Sequence, residues 1–356
     1  MKFTKLTILT AILLSITACG DSSNDDDASL TDDSSTDSET VDTSVIDITN
    51  VNFTKRDGSC ADYEGYYKSE VMDIKNAISF IGDVSILPSS DVCTLDANTI
   101  PNHDFHDGGS QFATQPAEVR TQFFINANPT FADEVNPLTL GTAEAVLLNG
   151  VTLDILAAAC YGVGNETLGQ EKIGCGANQD DNPWRYDPMS PLNSFGTDTH
   201  NAHTQPSGKY HYHGNPIAMF EQDCSTASTA SPVIGFAADG FPVFGSCINV
   251  DGTIREATPS FELKQGTRQD VAGYQTPEAD VGSIASDSYD GQFRGDYEYS
   301  EGLGDLDECN GMTVDGQYGY YITNSFPWTL SCYKGDTNAS FSEQEVSESR
   351  SHTHTH

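Results

Sequence analysis

Basic residues are scarce in this chain. Sixteen lysines and arginines stand against 53 aspartates and glutamates over 356 residues, giving a formal net charge of −37. Binding a phosphate backbone needs a basic face, so nucleic acid is excluded as a partner. Close Cys-x-x-Cys pairs are missing, which removes zinc knuckles and dithiol redox centres. There is no Gly-x-Ser-x-Gly elbow and no glycine loop of the phosphate-cradling kind, so a serine nucleophile and a nucleotide site both lack a foothold. Long runs of helical period are also absent. The best helix candidate is Ser69 to Ile81, where Val71, Ile74 and Ile78 are spaced for one face. No internal repeat of fixed period and no second domain boundary can be read.

What is present begins with an address. Met1-Lys2-Phe3-Thr4-Lys5 precedes an apolar run from Leu6 to Ile16, then Thr17-Ala18-Cys19. A charged start, a short apolar core and small residues before the cut read as a signal peptide over 1–18, too short to span a bilayer as a helix. Cys19 sits where a bacterial lipobox places the acylated cysteine, so the expected mature form is held at the membrane by lipid. Residues 19–45 are mostly Asp, Ser and Thr, and this composition predicts a disordered acidic tether. Gly20, rather than aspartate, follows the cysteine, so an outer-membrane lipoprotein facing the periplasm or the cell surface is expected. One folded domain is expected over 46–341, and 342–356, with its alternating His352, His354 and His356, reads as a flexible tail. The dense acidity itself chiefly serves solubility, with divalent cations, calcium among them, as natural counterions.

Beyond Cys19, eight cysteines remain: Cys60, Cys93, Cys160, Cys175, Cys224, Cys247, Cys309 and Cys332. An even number in an exported chain predicts four disulfides. Spacing alone does not choose among the pairings; taking nearest neighbours joins 60 to 93, 160 to 175, 224 to 247 and 309 to 332. Turn signals divide the apolar runs. Asn149-Gly150, Asp239-Gly240, Asp251-Gly252 and Asp315-Gly316 each separate two strand-like segments. The expected class is mainly β: an irregular, disulfide-stapled sandwich or barrel with long loops.

The densest chemistry lies in Asn201-Ala202-His203-Thr204-Gln205-Pro206-Ser207-Gly208-Lys209-Tyr210-His211-Tyr212-His213, with His200 just before it. Pro206 and Ser207 suit the centre of a type I turn, and Gly208 the left-handed residue that completes a three-residue hairpin loop. Symmetric pairing about Ser207 sets His203 opposite His211 and Asn201 opposite His213. Side chains alternate, so His211 and His213 share one face and Tyr210 and Tyr212 the other. Opposed residues have Cβ atoms about 5 Å apart, which brings His203, His211 and His213 within reach of one transition-metal ion. Three imidazoles with one position open are the usual make-up of a reactive copper or zinc site. His200 has the wrong parity unless the strand begins after it, and stands as a possible fourth metal ligand beside His203, His211 and His213. A ladder of half-buried rings that needs no ion is the structural alternative.

These residues resemble a known family. Trp184 to Met189, Asn201 to Gly208, Tyr210-His211-Tyr212-His213-Gly214, Gly235 to Gly245, Leu306 to Gly311 and Tyr320 to Trp328 are similar to successive blocks of the YHYH-domain family, over about 147–335. The resemblance implies an exported, often lipid-anchored and mostly bacterial protein, and no particular activity. Members commonly carry a histidine within the late Tyr-x-Tyr-Tyr block, where this chain has Gly319.

Other residues are candidates for the same site. Asp239 stands beside a turn glycine, and Asp307 and Glu308 lie in a loop next to Cys309; each is a candidate carboxylate ligand or general base. Asp198 is placed to accept the second N–H of a ligand imidazole. His103 and His106, with Asp104 and Asp107 between and beside them, form a possible secondary metal set. Two functions follow as expectations. One is a metalloprotein whose copper or zinc centre catalyses hydrolysis or oxidation. The other is a cell-surface binding module whose hairpin is structural and whose loops, such as 182–195, contact glycan or a partner protein.

Overall fold

The computed structural model describes residues 44–343. The signal peptide, Cys19, most of the tether and nearly all of the tail lie outside the described residues, although Val45 already belongs to the first strand and Glu343 is bonded to the domain.

Two sheets share one core. The first runs β1 (Val45–Asp47), β2 (Gly65–Asp73), β3 (Ile78–Pro88), β4 (Val92–Ala97) and β5 (Thr121–Asn126) in chain order, with only β1–β2 parallel. A short pair links β6 (Asn136–Pro137) to a strand near the C-terminus. The second sheet is built from β7 (Ala145–Leu147), β8 (Thr152–Leu153), β9 (Ala202–Thr204), β10 (Tyr210–Tyr212), β11 (Val233–Ala237) and β12 (Pro242–Phe244). After two small hairpins, β13–β14 (Cys247–Val250, Thr253–Glu256) and β15–β16 (Phe261–Leu263, Tyr297–Tyr299), it gains β17 (Gly311–Val314) and β18 (Gln317–Tyr321). The partner of β6 is β19 (Cys332–Tyr333). The order β17-β18-β12-β11-β7-β8-β10-β9 is open and mixed, so neither large sheet closes into a barrel.

The pairs Asn149-Gly150, Asp239-Gly240, Asp251-Gly252 and Asp315-Gly316 turn the hairpins β7–β8, β11–β12, β13–β14 and β17–β18. Gly150, Gly240, Gly252 and Gly316 all have positive φ, the region such turns require and where a Cβ is penalised. All four nearest-neighbour disulfides are formed. The core they share takes Val84, Ile86, Leu95 and Phe123 from the first sheet and Val146, Tyr210, Tyr212 and Phe236 from the second. A smaller cluster around Trp184, Tyr186 and Phe293 lies among the loops.

The helix expected over Ser69 to Ile81 is a β-hairpin instead. Burial alternates along β2 from Ser69 to Asp73, which is period two, and Ile74 and Ile78 are exposed rather than on a helical face with Val71. The Asp73 carboxylate accepts the Asn76 amide at 3.1 Å, and Ala77 takes φ +52°, so a side-chain-capped turn interrupts what looked like a helical repeat. Helical residues among those described are confined to short 3₁₀ turns such as Cys60–Tyr63, and no helix there is long and apolar enough to cross a membrane.

Gly208 closes the β9–β10 loop at φ +87°, and a Cβ there would stand 2.7 Å from Ala117 Cβ and 2.8 Å from Gln115 O. Gly208→Ala is expected to destabilise the fold by about 1–3 kcal/mol, read as a lowered urea midpoint, because strain and a backbone collision act together.

Candidate metal centre

The hairpin positions its side chains as the turn dictates. Gly208 N–H donates to Gln205 O at 2.8 Å and Gln205 N–H to Lys209 O at 2.9 Å, closing the loop. Tyr210 then pairs with Thr204, His211 with His203 and Tyr212 with Ala202, and His213 N–H donates to Asn201 O. Tyr210 and Tyr212 enter the shared core, fully buried. The histidines occupy the opposite face, beneath the loop that carries Phe195.

Three imidazole nitrogens converge there. His213 Nε2 lies 3.0 Å from His211 Nε2 and 2.9 Å from His203 Nε2, and the three rings stand nearly perpendicular to one another. His211 and His213 are buried and His203 is partly so. His203 Nδ1 is 2.7 Å from Phe195 O, which only accepts, so Nδ1 holds the hydrogen and a neutral ring leaves its Nε2 lone pair facing inward.

Burial, then the neighbouring rings His213 and His203 and the Lys209 charge, hold His211 well below the ordinary imidazole range. Burial and His203 do the same to His213, and burial lowers His203. The rings are therefore neutral at pH 7. Among neutral rings, His213 Nε2 offers one hydrogen or one lone pair for two contacts, so one of the two cannot be a full hydrogen bond. A cation resolves this. Metal–nitrogen bonds of about 2.0–2.1 Å separate two ligand nitrogens by about 2.9 Å at a right angle and about 3.3 Å in a tetrahedron. The observed spacings fit such a ligand set within a few tenths of an ångström.

A family model described as YHYH protein matches residues 122–335, more than half of the chain. The chain belongs to the YHYH family. No curated protein and no solved structure matches it. The Tyr-His-Tyr-His signature is thus β10 and the residue after it, with its tyrosines in the core and its histidines in the triad. At the family's late block, a Cβ on Gly319 would lie 2.5 Å from the Phe244 ring and 2.8 Å from Pro242 O. A side chain has no room there.

Several expected site residues are elsewhere. His200 stacks on His103 with ring centroids 3.8 Å apart, outside the group of three. His103 donates from Nδ1 to Asp104 O and receives the Tyr212 hydroxyl at 2.7 Å on Nε2, on the tyrosine side of the YHYH strand. His106 pairs with the buried Asp73 at 2.8 Å and stacks on Phe112. The two are thus held by different partners and form no ligand pair. Asp198 receives the Tyr210 hydroxyl and the His106, His200 and Ala202 amides, not a ligand imidazole. Asp239 receives Tyr320 OH and Gly335 N–H, and burial raises it. Asp307 caps Cys309 and Gly311 and pairs with Lys334, which also holds Glu308. Asp198, Asp239, Asp307 and Glu308 are each engaged with protein donors.

Neighbours that sequence spacing does not reveal come from other strands. Thr152 pairs with His211 across β8–β10. Asp154, just beyond it, accepts Gln205 Nε2 at 2.7 Å, and Glu343 accepts both Gln205 and Lys209. Burial, then Glu343, pushes Asp154 up to about 7. The Phe195 carbonyl and Thr152 carry no ligand-type signal in the sequence, so nothing short of the fold finds them.

Burial, then His200, pushes His103 down to about 3. Below an ordinary histidine pKa of about 6.5 the unfolded chain takes this proton and the folded chain refuses it, so the stability present above that pH is lost as pH falls toward 3. In urea unfolding between about pH 6.5 and 4, wild type is expected to lose roughly 1.4 kcal/mol per pH unit more than His103→Gln.

Proposed function

We propose that this YHYH protein is an exported, lipid-anchored metal-binding protein whose centre, copper or zinc, is held by His203, His211 and His213. The observation that carries the reading is the convergence of three neutral Nε2 atoms, 2.9 and 3.0 Å apart, on a buried sheet face. Support comes from the His203 tautomer, set by Phe195 O, which turns its lone pair to the shared point. A signal peptide and a lipobox cysteine at Cys19 support the location at the outer membrane.

Three imidazoles leave at least one coordination position open, which separates a reactive centre from a closed structural one. When bound there, zinc supplies an activated water for hydrolysis and copper supplies oxygen or electron-transfer chemistry. The chain's own part is to hold three neutral donors rigidly in a β-ladder and to keep bulk water off two of them.

Full-length protein purified without an affinity tag is expected to contain about one zinc or copper per chain. His211→Ala and His213→Ala should each lose it, beyond the 10–100-fold weakening typical of outer-sphere changes, about two decades at most. His200→Ala should keep it, since that ring belongs to the His103 stack. Metal content that survives both alanine variants sinks this reading. It would leave the hairpin as a structural element of a surface binding module.

A further inference from the structure

Two of the three converging rings lack an outer partner. His203 Nδ1 donates to Phe195 O at 2.7 Å, whereas His211 Nδ1 and His213 Nδ1 are buried without a hydrogen-bond partner. A third orphan belongs to the same strands: Thr152 Oγ1 is unbonded, in a residue with no exposed surface.

The ladder sets that hydroxyl against one ring. Thr152 is paired with His211 on one side and with Val146 on the other, and His211 in turn with His203. One step along, Asp154 N–H donates to Tyr212 O and Glu144 N–H to Leu153 O, so Glu144, Asp154 and His213 make the next row. Alternation puts all of them on the same side of the sheet, where adjacent strands run about 4.8 Å apart. Val146 offers no polar side-chain atom. The unbonded hydroxyl and the unbonded His211 Nδ1 therefore belong to directly paired residues on one face, and rotation about the Thr152 Cα–Cβ bond turns one toward the other.

Ligand chemistry supplies the reason for the pairing. A ring that ligates through Nε2 carries its hydrogen on Nδ1, and ligating histidines almost always donate that hydrogen to an acceptor. Phe195 O already serves His203. Beside His211, the backbone acceptor Lys209 O takes the Gln205 amide at 2.9 Å, which leaves the Thr152 hydroxyl as the side chain in the ladder with an unused lone pair. Glu144 stands diagonally from Thr152 with Oε1 unbonded, an acceptor for the hydroxyl's own hydrogen. Valine has the same shape and would bury no unmet polar group, so this hydroxyl costs the empty protein stability and is satisfied only when a hydrogen comes to it.

We infer that Thr152 is a positioning residue of the centre: its hydroxyl accepts the His211 Nδ1 hydrogen, fixes the tautomer that turns His211 Nε2 toward His203 and His213, and tightens the hold on a metal ion there. The inference rests on the metal reading of the three rings and names the outer group that serves the second of them.

The test compares Thr152→Val and Thr152→Ser with wild type in the full chain. Affinity for zinc and, separately, for copper(I) is measured by competition with a chromophoric chelator, and the tautomer of His211 by NMR of protein carrying nitrogen-15 histidine. Thr152→Val should bind metal about 10–100-fold more weakly, while the metal-free variant unfolds at the same or a higher urea concentration than wild type. Thr152→Ser should recover most of the affinity. In zinc-loaded wild type the His211 Nδ1 hydrogen should exchange slowly with water and show a through-space contact to the Thr152 side chain, a readout that stands even should the valine variant fail to fold. Equal affinity in wild type and Thr152→Val, or no contact between the His211 hydrogen and Thr152, overturns the inference and leaves the metal reading standing. An affinity loss that serine does not recover, or that comes with a lowered urea midpoint, marks a packing defect and overturns it as well. A wild-type chain that takes up neither metal overturns the metal reading, and this inference with it.

Discussion

A single alternation governs this molecule: in β10 the tyrosines must go one way and the histidines the other. Tyr210 and Tyr212 are committed to the core, where their hydroxyls end on Asp198 and on His103 and Asn149. A one-residue slip would carry both phenols out of that core and drive histidines into it, so the register is held by two large burials rather than by the turn alone. The triad inherits this rigidity. His203, His211 and His213 are fixed because the residues between them are fixed.

That arrangement also explains why imidazoles tolerate burial here. A neutral ring is far cheaper to desolvate than an imidazolium, and each ring's neighbours discourage protonation further. Carboxylates on the same face adapt likewise, Asp154 and Glu144 both being raised by burial. Basic residues that are buried elsewhere are matched directly: Arg268 lies between Asp290 and Asp296. Arg294, half-buried, packs on the Phe326 ring and donates no side-chain hydrogen bond to any described residue.

Legibility followed range. The β9–β10 hairpin, the four glycine turns and the disulfide pairing depend on residues close in sequence, and the spacing of Pro206, Ser207 and Gly208 was enough to set His203 against His211. The helix misread over Ser69 to Ile81 failed because Asp73 and Asn76 close a turn that apolar spacing does not register. Asp239 and Asp307 read as ligands, and Asp198 as the partner of one, because a carboxylate's chemistry is the same whether its oxygen meets a metal, an imidazole or an amide. Only the fold tells which. Thr152 and Glu144 were invisible for the converse reason: one lies about fifty residues from the hairpin, and neither has a spacing that suggests a role.

The tie between the hairpin tip and the end of the domain closes the argument about specificity. Glu343 binds Lys209 and Gln205, and Gln205 binds Asp154, so the tip of β9–β10, strand β8 and the last described residue form one bonded unit. A hairpin free at its tip would let His203 swing relative to His211, and the contacts of 2.9 and 3.0 Å that His213 Nε2 makes with the other two rings would not persist. Pinning the tip from two directions converts a flexible two-stranded ribbon into a fixed ligand frame. The same bonds occupy the Lys209 ammonium, so the one lysine beside the triad is spent on holding the frame.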